Sequence, residues 1–350
     1  MRNGGLRSCP TPGSSRFPTV TRSSPSTSRN SQPVKSQPLF GRIRMPDVPR
    51  LTVSRRGRVV TVLFNNPPRH FFDVQMSIEL DDLTRRLERD RSVGAVIFTG
   101  QGSTYLTHFN VHDLLDGARR APFAVPYPLA RLVAASGRIA GRSRAVDRIL
   151  RRTPMGDVLL MARIYASMQR LNRMDKVVIT AINGLGLGMG CVFALGCDIR
   201  LMADDTQIGL PESGLAVLAG AGGTQRLVRM VGGGRALELL LEGRSISADQ
   251  ALELGLVHHV VAPQELDSCA NAVAERMARR SPVITREIKR MVYDAGARPF
   301  GAALRMEMAS AIATFSTADA EHSMDAYVGL LGVHDELTDD AITGSFGALL

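Results

Sequence analysis

The chain has 350 residues, 44% of them hydrophobic and 22% charged, with a formal net charge of +10. That length and balance are enough to bury one large core or two modest ones, which excludes a wholly disordered protein. No window of eighteen or more uncharged apolar residues occurs, and Cys9, Cys191, Cys197 and Cys269 form neither a C-x-x-C pair nor a cluster with histidines at metal spacing, so no transmembrane helix, disulfide framework or structural metal is expected.

Residues 1–44 hold eight basic side chains (Arg2, Arg7, Arg16, Arg22, Arg29, Lys35, Arg42 and Arg44) and no Asp or Glu, leaving only +2 for the remainder. The basicity therefore belongs mainly to a tail, which also carries nine serines and six prolines. Such a segment has too little apolar surface to offset its ordering entropy and is expected to be disordered. An organellar transit peptide, a nucleic-acid arm and a dispensable extension are all compatible with it. The prolines at 10, 12, 18, 25, 33 and 38 oppose the amphipathic face of a transit peptide, and Met45 stands just ahead of the first strand-like segment. The dispensable extension is the favoured reading, with no nucleic-acid partner and a cytoplasmic location, or an organellar matrix if the tail is a transit peptide.

From Met45 the pattern becomes regular. Residues 51–53 and 59–64 alternate as a strand pair around Arg56-Gly57. Asp73 is placed to cap a helix running to about residue 90, with Met76, Leu80, Leu83 and Leu87 at helical spacing on one face. Residues 95–98 are a short apolar run bounded by glycines, the signature of a buried strand. A second unit begins with a strand over 177–182, passes through a glycine-rich turn into a helix over about 190–196, and continues as a strand over 199–202. Gly222-Gly223-Thr224-Gln225-Arg226-Leu227 opens a further helix, Ser247 caps residues 248–254, and 266–279 carries a long helical pattern. The chain is α/β first and α-helical last.

Gly186-Leu187-Gly188-Met189-Gly190 lies between a strand and a helix, as a dinucleotide fingerprint would. Its third glycine comes too soon for G-x-G-x-x-G, and Asp198 is too near to reach a ribose, so this reading is weak. No G-x-x-x-x-G-K-[ST] occurs, which removes the phosphate-loop alternative.

Over about residues 49–333 the chain resembles the enoyl-CoA hydratase/isomerase family of the crotonase superfamily. The resemblance rests on Leu63-Phe64-Asn65-Asn66-Pro67-Pro68, Val96-Ile97-Phe98-Thr99-Gly100, Ala181-Ile182-Asn183-Gly184, Cys197-Asp198-Ile199-Arg200, Gly209-Leu210-Pro211-Glu212, Gly220-Ala221-Gly222-Gly223-Thr224-Gln225-Arg226-Leu227 and Ala251-Leu252-Glu253-Leu254-Gly255-Leu256-Val257. Their number, order and separation carry it. It implies an α/β fold: a crotonase-like spiral of repeated ββα units over 45–265, then a C-terminal α-helical oligomerisation region over 266–350, assembled as a homotrimer or a dimer of trimers. A basic insertion of about 119–152 lengthens the spiral, with nine arginines against Asp147 as its one acid. An arginine-rich lid would attract coenzyme A phosphates, whereas such a stretch is more commonly a solvated face or a subunit contact.

The same resemblance implies an acyl-CoA thioester substrate, with coenzyme A as part of the substrate and no separate cofactor or metal. Two backbone N–H groups would meet the thioester oxygen as enolate charge develops, each worth about 3–4 kcal/mol in the transition state. By position these are Phe109 and Met189, where the family commonly has small residues. Backbone contacts to the adenine end would come from Arg69, His70 and Phe71. Family hydratases pair two glutamates across the substrate; the first position here is Val192 and the second is Glu212. One carboxylate can still shuttle a proton between two carbons, so enoyl-CoA double-bond isomerisation ranks above hydration. A catalytically silent acyl-CoA-binding or assembly protein is the third reading. His108 and His112 flank Phe109 and Asn110, and His108 is retained as an auxiliary acid or base. His258-His259 is read as part of a strand.

Overall fold

The computed structural model describes residues 48–120, 124–140, 156–334, 336 and 338–349. The basic tail over 1–44 lies outside them, as does much of the insertion.

The first strands, β1 (Leu51–Arg56) and β2 (Val59–Phe64), form an antiparallel hairpin that turns at Gly57, whose φ of 57° suits a residue without Cβ. Helix α1 (Val74–Arg89) begins where Asp73 Oδ1 accepts the Met76 N–H at 2.8 Å, a cap worth about 1 kcal/mol. Arg50 donates to the other oxygen of Asp73, tying the cap to the entry of β1. Met76, Leu80, Leu83 and Leu87 are all buried, each contributing roughly 1.5–3 kcal/mol on the transfer scale. The next strand, β3 (Ala95–Gly100), pairs with β2 in parallel.

The insertion folds, in its described part, as helices. They are the end of α2 (Val111–Arg120), a helix that starts ahead of the insertion where Asn110 Oδ1 accepts the His112 N–H, and α3 (Tyr127–Ala140). The third helix, α4 (Gly156–Arg173), lies along α1 and carries α3 on its flank, where Gly137 leaves room for Val158. Arg170 of α4 reaches Asp81 and Thr84 of α1.

Three further parallel strands complete the main sheet: β4 (Val177–Ile182), β6 (Ile199–Ala203) and β9 (His259–Val261). Among the described residues this sheet has six strands in the order β1-β2-β3-β4-β6-β9, parallel throughout except for β1. Alternation along its strands sends Val60, Val62, Val96, Phe98 and Val178 to the face covered by α1 and α4. Val59, Ala95, Ile97, Ile179 and Leu201 go to the opposite face. That opposite face is covered by α9 (Leu266–Ala278) through Leu266, Ala270, Val273 and Ala274. A parallel sheet needs both faces buried, and α9 supplies the cover of the second face.

A second, three-stranded sheet consists of β5 (Gly186–Leu187), β7 (Gln207–Gly209) and β8 (Ser245–Ser247). Around it lie α5 (Met189–Leu195), a 3₁₀ turn over Pro211–Leu215, α6 (Gly223–Val231), α7 (Gly233–Glu242) and α8 (Ala248–Glu253). Ser247 and Gln250 form a reciprocal capping box at the start of α8. The chain ends in α10 (Pro282–Tyr293), α11 (Phe300–Phe315), α12 (Ala318–Leu331) and α13 (Asp339–Leu349).

Two buried devices hold this frame. Lys289 of α10 donates to Leu171 O and Lys176 O at 2.8 Å each and to Asp198 Oδ2 at 2.6 Å, while Asp198 also accepts the Val178 N–H and the Tyr293 hydroxyl. Gly190, in α5, lets the Leu106 carbonyl approach so closely that a Cβ there would lie 1.8 Å from its oxygen.

Both make testable demands. Lys289→Met, measured by denaturant midpoint, is expected to cost about 3–5 kcal/mol, because Asp198 and two carbonyls lose their donor in the interior. Gly190→Ala is expected to cost on the order of 3 kcal/mol by overpacking. Gly117→Ala on α2, where a Cβ meets nothing within 4 Å, should be neutral or slightly stabilising and serves as the control.

Candidate active site

The segment after β3 runs through Tyr105 and Leu106 into an extended stretch at Thr107, His108 and Phe109. On one side it pairs with Phe72: the Phe72 N–H donates to His108 O at 2.7 Å and the Asn110 N–H to Phe72 O at 2.9 Å. This alternation turns the N–H and C=O of Phe109 away from Phe72, toward β5. On that side the Leu187 N–H donates to Thr107 O at 2.7 Å, opening a second parallel ladder.

The ladder stops after that bond. Gly188 takes φ 49° and ψ −115°, which turns the chain out of the strand and starts α5 at Met189. Its own N–H is used by Gly209 O at 2.9 Å. Among the described residues no acceptor takes the N–H of Phe109 or of Met189, the latter being the first of a helix and so without an intrahelical partner. The side chains that looked too large for this position are absorbed by the core. Met189 is buried, and Phe109 packs on Phe72 with ring centroids 5.7 Å apart.

Glu212 stands in the 3₁₀ turn after β7, fixed by Pro211 at the first position. It is not a solvated loop carboxylate: Oε2 is buried and has no hydrogen-bond partner among the described residues. Burial pushes its pKa above the ordinary carboxylate value, while its own backbone N–H and the charge of His108 pull the other way. Gly188 lies directly against it. A Cβ at Gly188 would meet Glu212 Oε1 at 3.3 Å and His108 Nε2 at 3.4 Å, so the two acid–base groups face the same space over this turn. His108 Nδ1 is 2.6 Å from Phe109 O, and because a carbonyl only accepts, Nδ1 donates to it and Nε2 is the ring nitrogen turned to that space.

Other candidates fall into place around this centre. Val192 is 2% exposed, on α5, with its Cγ2 filling the room a Gly223 side chain would need, so the first carboxylate position of the family is sealed by apolar packing. Cys191 is no nucleophile: burial pushes its thiol up to about 12. His112 is exposed at the start of α2, and His258, just before β9, accepts the Arg200 N–H through Nδ1 at 3.0 Å.

In the segment expected at the adenine end, Arg69 and Phe71 are exposed and His70 is buried. The His70 ring is occupied by the loop itself. Nδ1 accepts the Asn66 N–H at 2.7 Å, the opposite edge bonds to the Gln101 backbone, and burial holds its pKa below the ordinary value. Any contact from His70 to a ligand must therefore come from its backbone. No local pattern links His108 to Glu212, since they come together only through the turn at Gly188.

Comparison with known proteins agrees with this arrangement. Residues 146–332 match the family model for enoyl-CoA hydratase/isomerase. A short-chain-enoyl-CoA hydratase of Clostridium acetobutylicum is 30% identical over 278 residues, covering 79% of this chain and 93% of that protein. A probable enoyl-CoA hydratase of Bacillus subtilis is 35% identical over 271 residues, covering 77% and 92%. Among solved structures, Pseudomonas aeruginosa DspI superposes with a TM-score of 0.65 at 28% identity, covering 83% of this chain and 97% of that one. An enoyl-CoA hydratase from Bacillus anthracis gives 0.64 at 27% identity, covering 80% and 96%. Since the match extends through nearly the whole of these relatives, the chain belongs to the enoyl-CoA hydratase/isomerase family and is an enzyme of the crotonase superfamily.

Proposed function

We propose that this enzyme moves the double bond of a 3-enoyl-CoA to the 2-position, with Glu212 as the proton carrier. The observation that carries the reading is the pairing of one buried carboxylate at Glu212 with a sealed, apolar position at Val192. Glu212, as carboxylate, takes a proton from the α carbon. The electron pair spreads to the thioester oxygen, where the Phe109 and Met189 N–H groups meet the developing charge. The same proton is returned at the γ carbon, which regenerates Glu212 and leaves the 2-enoyl thioester. Hydrogen moves only as a proton, so no redox cofactor is required.

The elevated pKa of Glu212 suits this work, because a base is most effective when its pKa approaches the operating pH. Exposed Arg69 and Phe71 flank the expected approach of coenzyme A. A homotrimer or dimer of trimers is supported by α11, which exposes Phe300, Leu304, Met308, Ile312 and Phe315 along one face. The relatives named as hydratases favour water addition as the second reading.

Glu212→Gln tests the reading. With purified full-length protein and a panel of 3-enoyl and 2-enoyl thioesters, isomerisation should fall by ~10²–10⁴ while thioester binding is retained. The wild-type rate should show an acid limb above pH 4.5, the ordinary glutamate value, as the raised group takes up its proton. Folding stability moves oppositely. A carboxyl whose folded pKa is raised favours the folded state when protonated and loses that contribution as pH rises. The variant should thus melt higher than wild type at neutral pH, and the gap should close as pH falls toward 4.5. Binding without turnover of any thioester by the wild type would instead identify a silent acyl-CoA-binding protein.

A further inference from the structure

We propose that His108 is a second catalytic residue of this site, the base that activates water, and that with Glu212 it lets the enzyme hydrate 2-enoyl thioesters despite Val192. The inference rests on the thioester-enolate reading of the same centre. It adds an activity that the single-carboxylate mechanism does not supply.

Three features of the geometry support it. His108 immediately precedes Phe109, so its ring is anchored to the segment that offers the first N–H to the thioester oxygen. Nδ1 is committed to Phe109 O at 2.6 Å, which fixes the ring's direction and leaves Nε2 as the nitrogen available to a reacting molecule. Nε2 and Glu212 Oε1 then lie 3.4 Å and 3.3 Å from the position a Cβ would take on Gly188, so the two groups approach the same open side of that glycine. Gly188 keeps the space open, since a Cβ there would crowd Glu212 Oε1, touch the His108 ring and have to adopt a left-handed φ.

The proton account closes without an outside reactant other than water. Nε2 of His108 takes a proton from water as the water oxygen bonds to the β carbon. The π electrons move onto the α carbon and thioester oxygen, held by the N–H groups of Phe109 and Met189. Glu212, entering as the carboxylic acid that its burial favours, gives its proton to the α carbon. His108 then returns its proton to Glu212 across the shared space, and one water has been added across the double bond. Isomerisation needs only Glu212, entering as carboxylate. The two reactions therefore use different protonation states of one residue, and only hydration uses the histidine.

The experiment compares wild type, His108→Gln and His108→Ala as full-length proteins, with crotonyl-CoA for hydration and a 3-enoyl-CoA for isomerisation. Gln retains a donor for Phe109 O but cannot carry the proton, and melting temperature verifies folding of each variant. The wild type is expected to catalyse both reactions. His108→Gln should lose ~10²-fold or more in hydration and at least tenfold less in isomerisation, and free imidazole should restore part of the hydration lost in His108→Ala. A wild type that isomerises without hydrating overturns the inference and leaves the isomerase reading standing. So does hydration by His108→Gln within a few-fold of wild type, or an equal fall of both reactions without rescue by imidazole, which would mark the ring as a prop for the loop. A wild type that does neither reaction removes the isomerase reading, and this inference with it.

Discussion

Two chain segments that come off neighbouring strands of the main sheet, tied at their start by Asn183 to Gly100 and Gly102, meet again where the Leu187 N–H donates to Thr107 O, and the rest of the site depends on what happens just beyond that bond. Had the parallel ladder continued, the Phe109 N–H would have been consumed by the next carbonyl of β5. Gly188 prevents this by turning the chain at φ 49°, a conformation that side chains rarely tolerate. The turn leaves the Phe109 and Met189 amides without an acceptor among the described residues, the second at the start of a helix whose dipole favours negative charge. A backbone donor freed in this way needs no particular side chain. That is why phenylalanine and methionine can stand where small residues are usual, provided the core has room for them, as the Phe72 contact and the burial of Met189 demonstrate.

The scaffold around that turn is stiff because its polar groups are largely used up. Arg226 donates to Ala221 O and Asn172 Oδ1, binding α6 to α4, and Arg200 donates to Leu256 O and Cys197 O beneath β6. Against this background the buried Oε2 of Glu212 stands out as a side-chain atom left without a partner among the described residues. An unpaired buried carboxyl oxygen costs stability, and a fold that satisfies so many others has no structural need of this one. The cost is consistent with a group kept ready for a substrate proton.

Much of the frame was legible in the sequence because its signals are local. Asp73 followed by Met76, Leu80, Leu83 and Leu87 announces both the start and the buried face of α1, and Ser247 with Gln250 announces α8. Alternation around Arg56-Gly57 marks β1 and β2, and a short apolar run bounded by glycines marks β3. What stayed hidden depends on pairs distant in the chain. The pattern of α9 reads as a helix, but only the sheet reveals that it covers the second face of the core. Asp198 stands out as a motif residue, while Lys289, the partner that makes its burial tolerable, gives no local sign. In the same way His70 occupied an expected ligand segment, and the structure assigns its ring to the loop through Asn66 and Gln101. Glu212 could be found by its motif, but its relation to His108 depends on the shape of one glycine turn.

The substitution at position 192 is best understood together with its neighbour. In α5 the valine side chain fills the gap left by Gly223 at the start of α6, so the two residues act as a knob and a hole where those helices cross. A carboxylate at 192 would have to displace that contact or give up its solvation inside the core. Loss of the first glutamate is therefore built into helix packing rather than being a change of one side chain on a passive surface. The second proton transfer proposed above is assigned to the loop carrying Phe109, which Phe72 holds on one side and Leu187 on the other. A histidine there inherits the precision of the backbone ladder without disturbing the packing of α5 against α6.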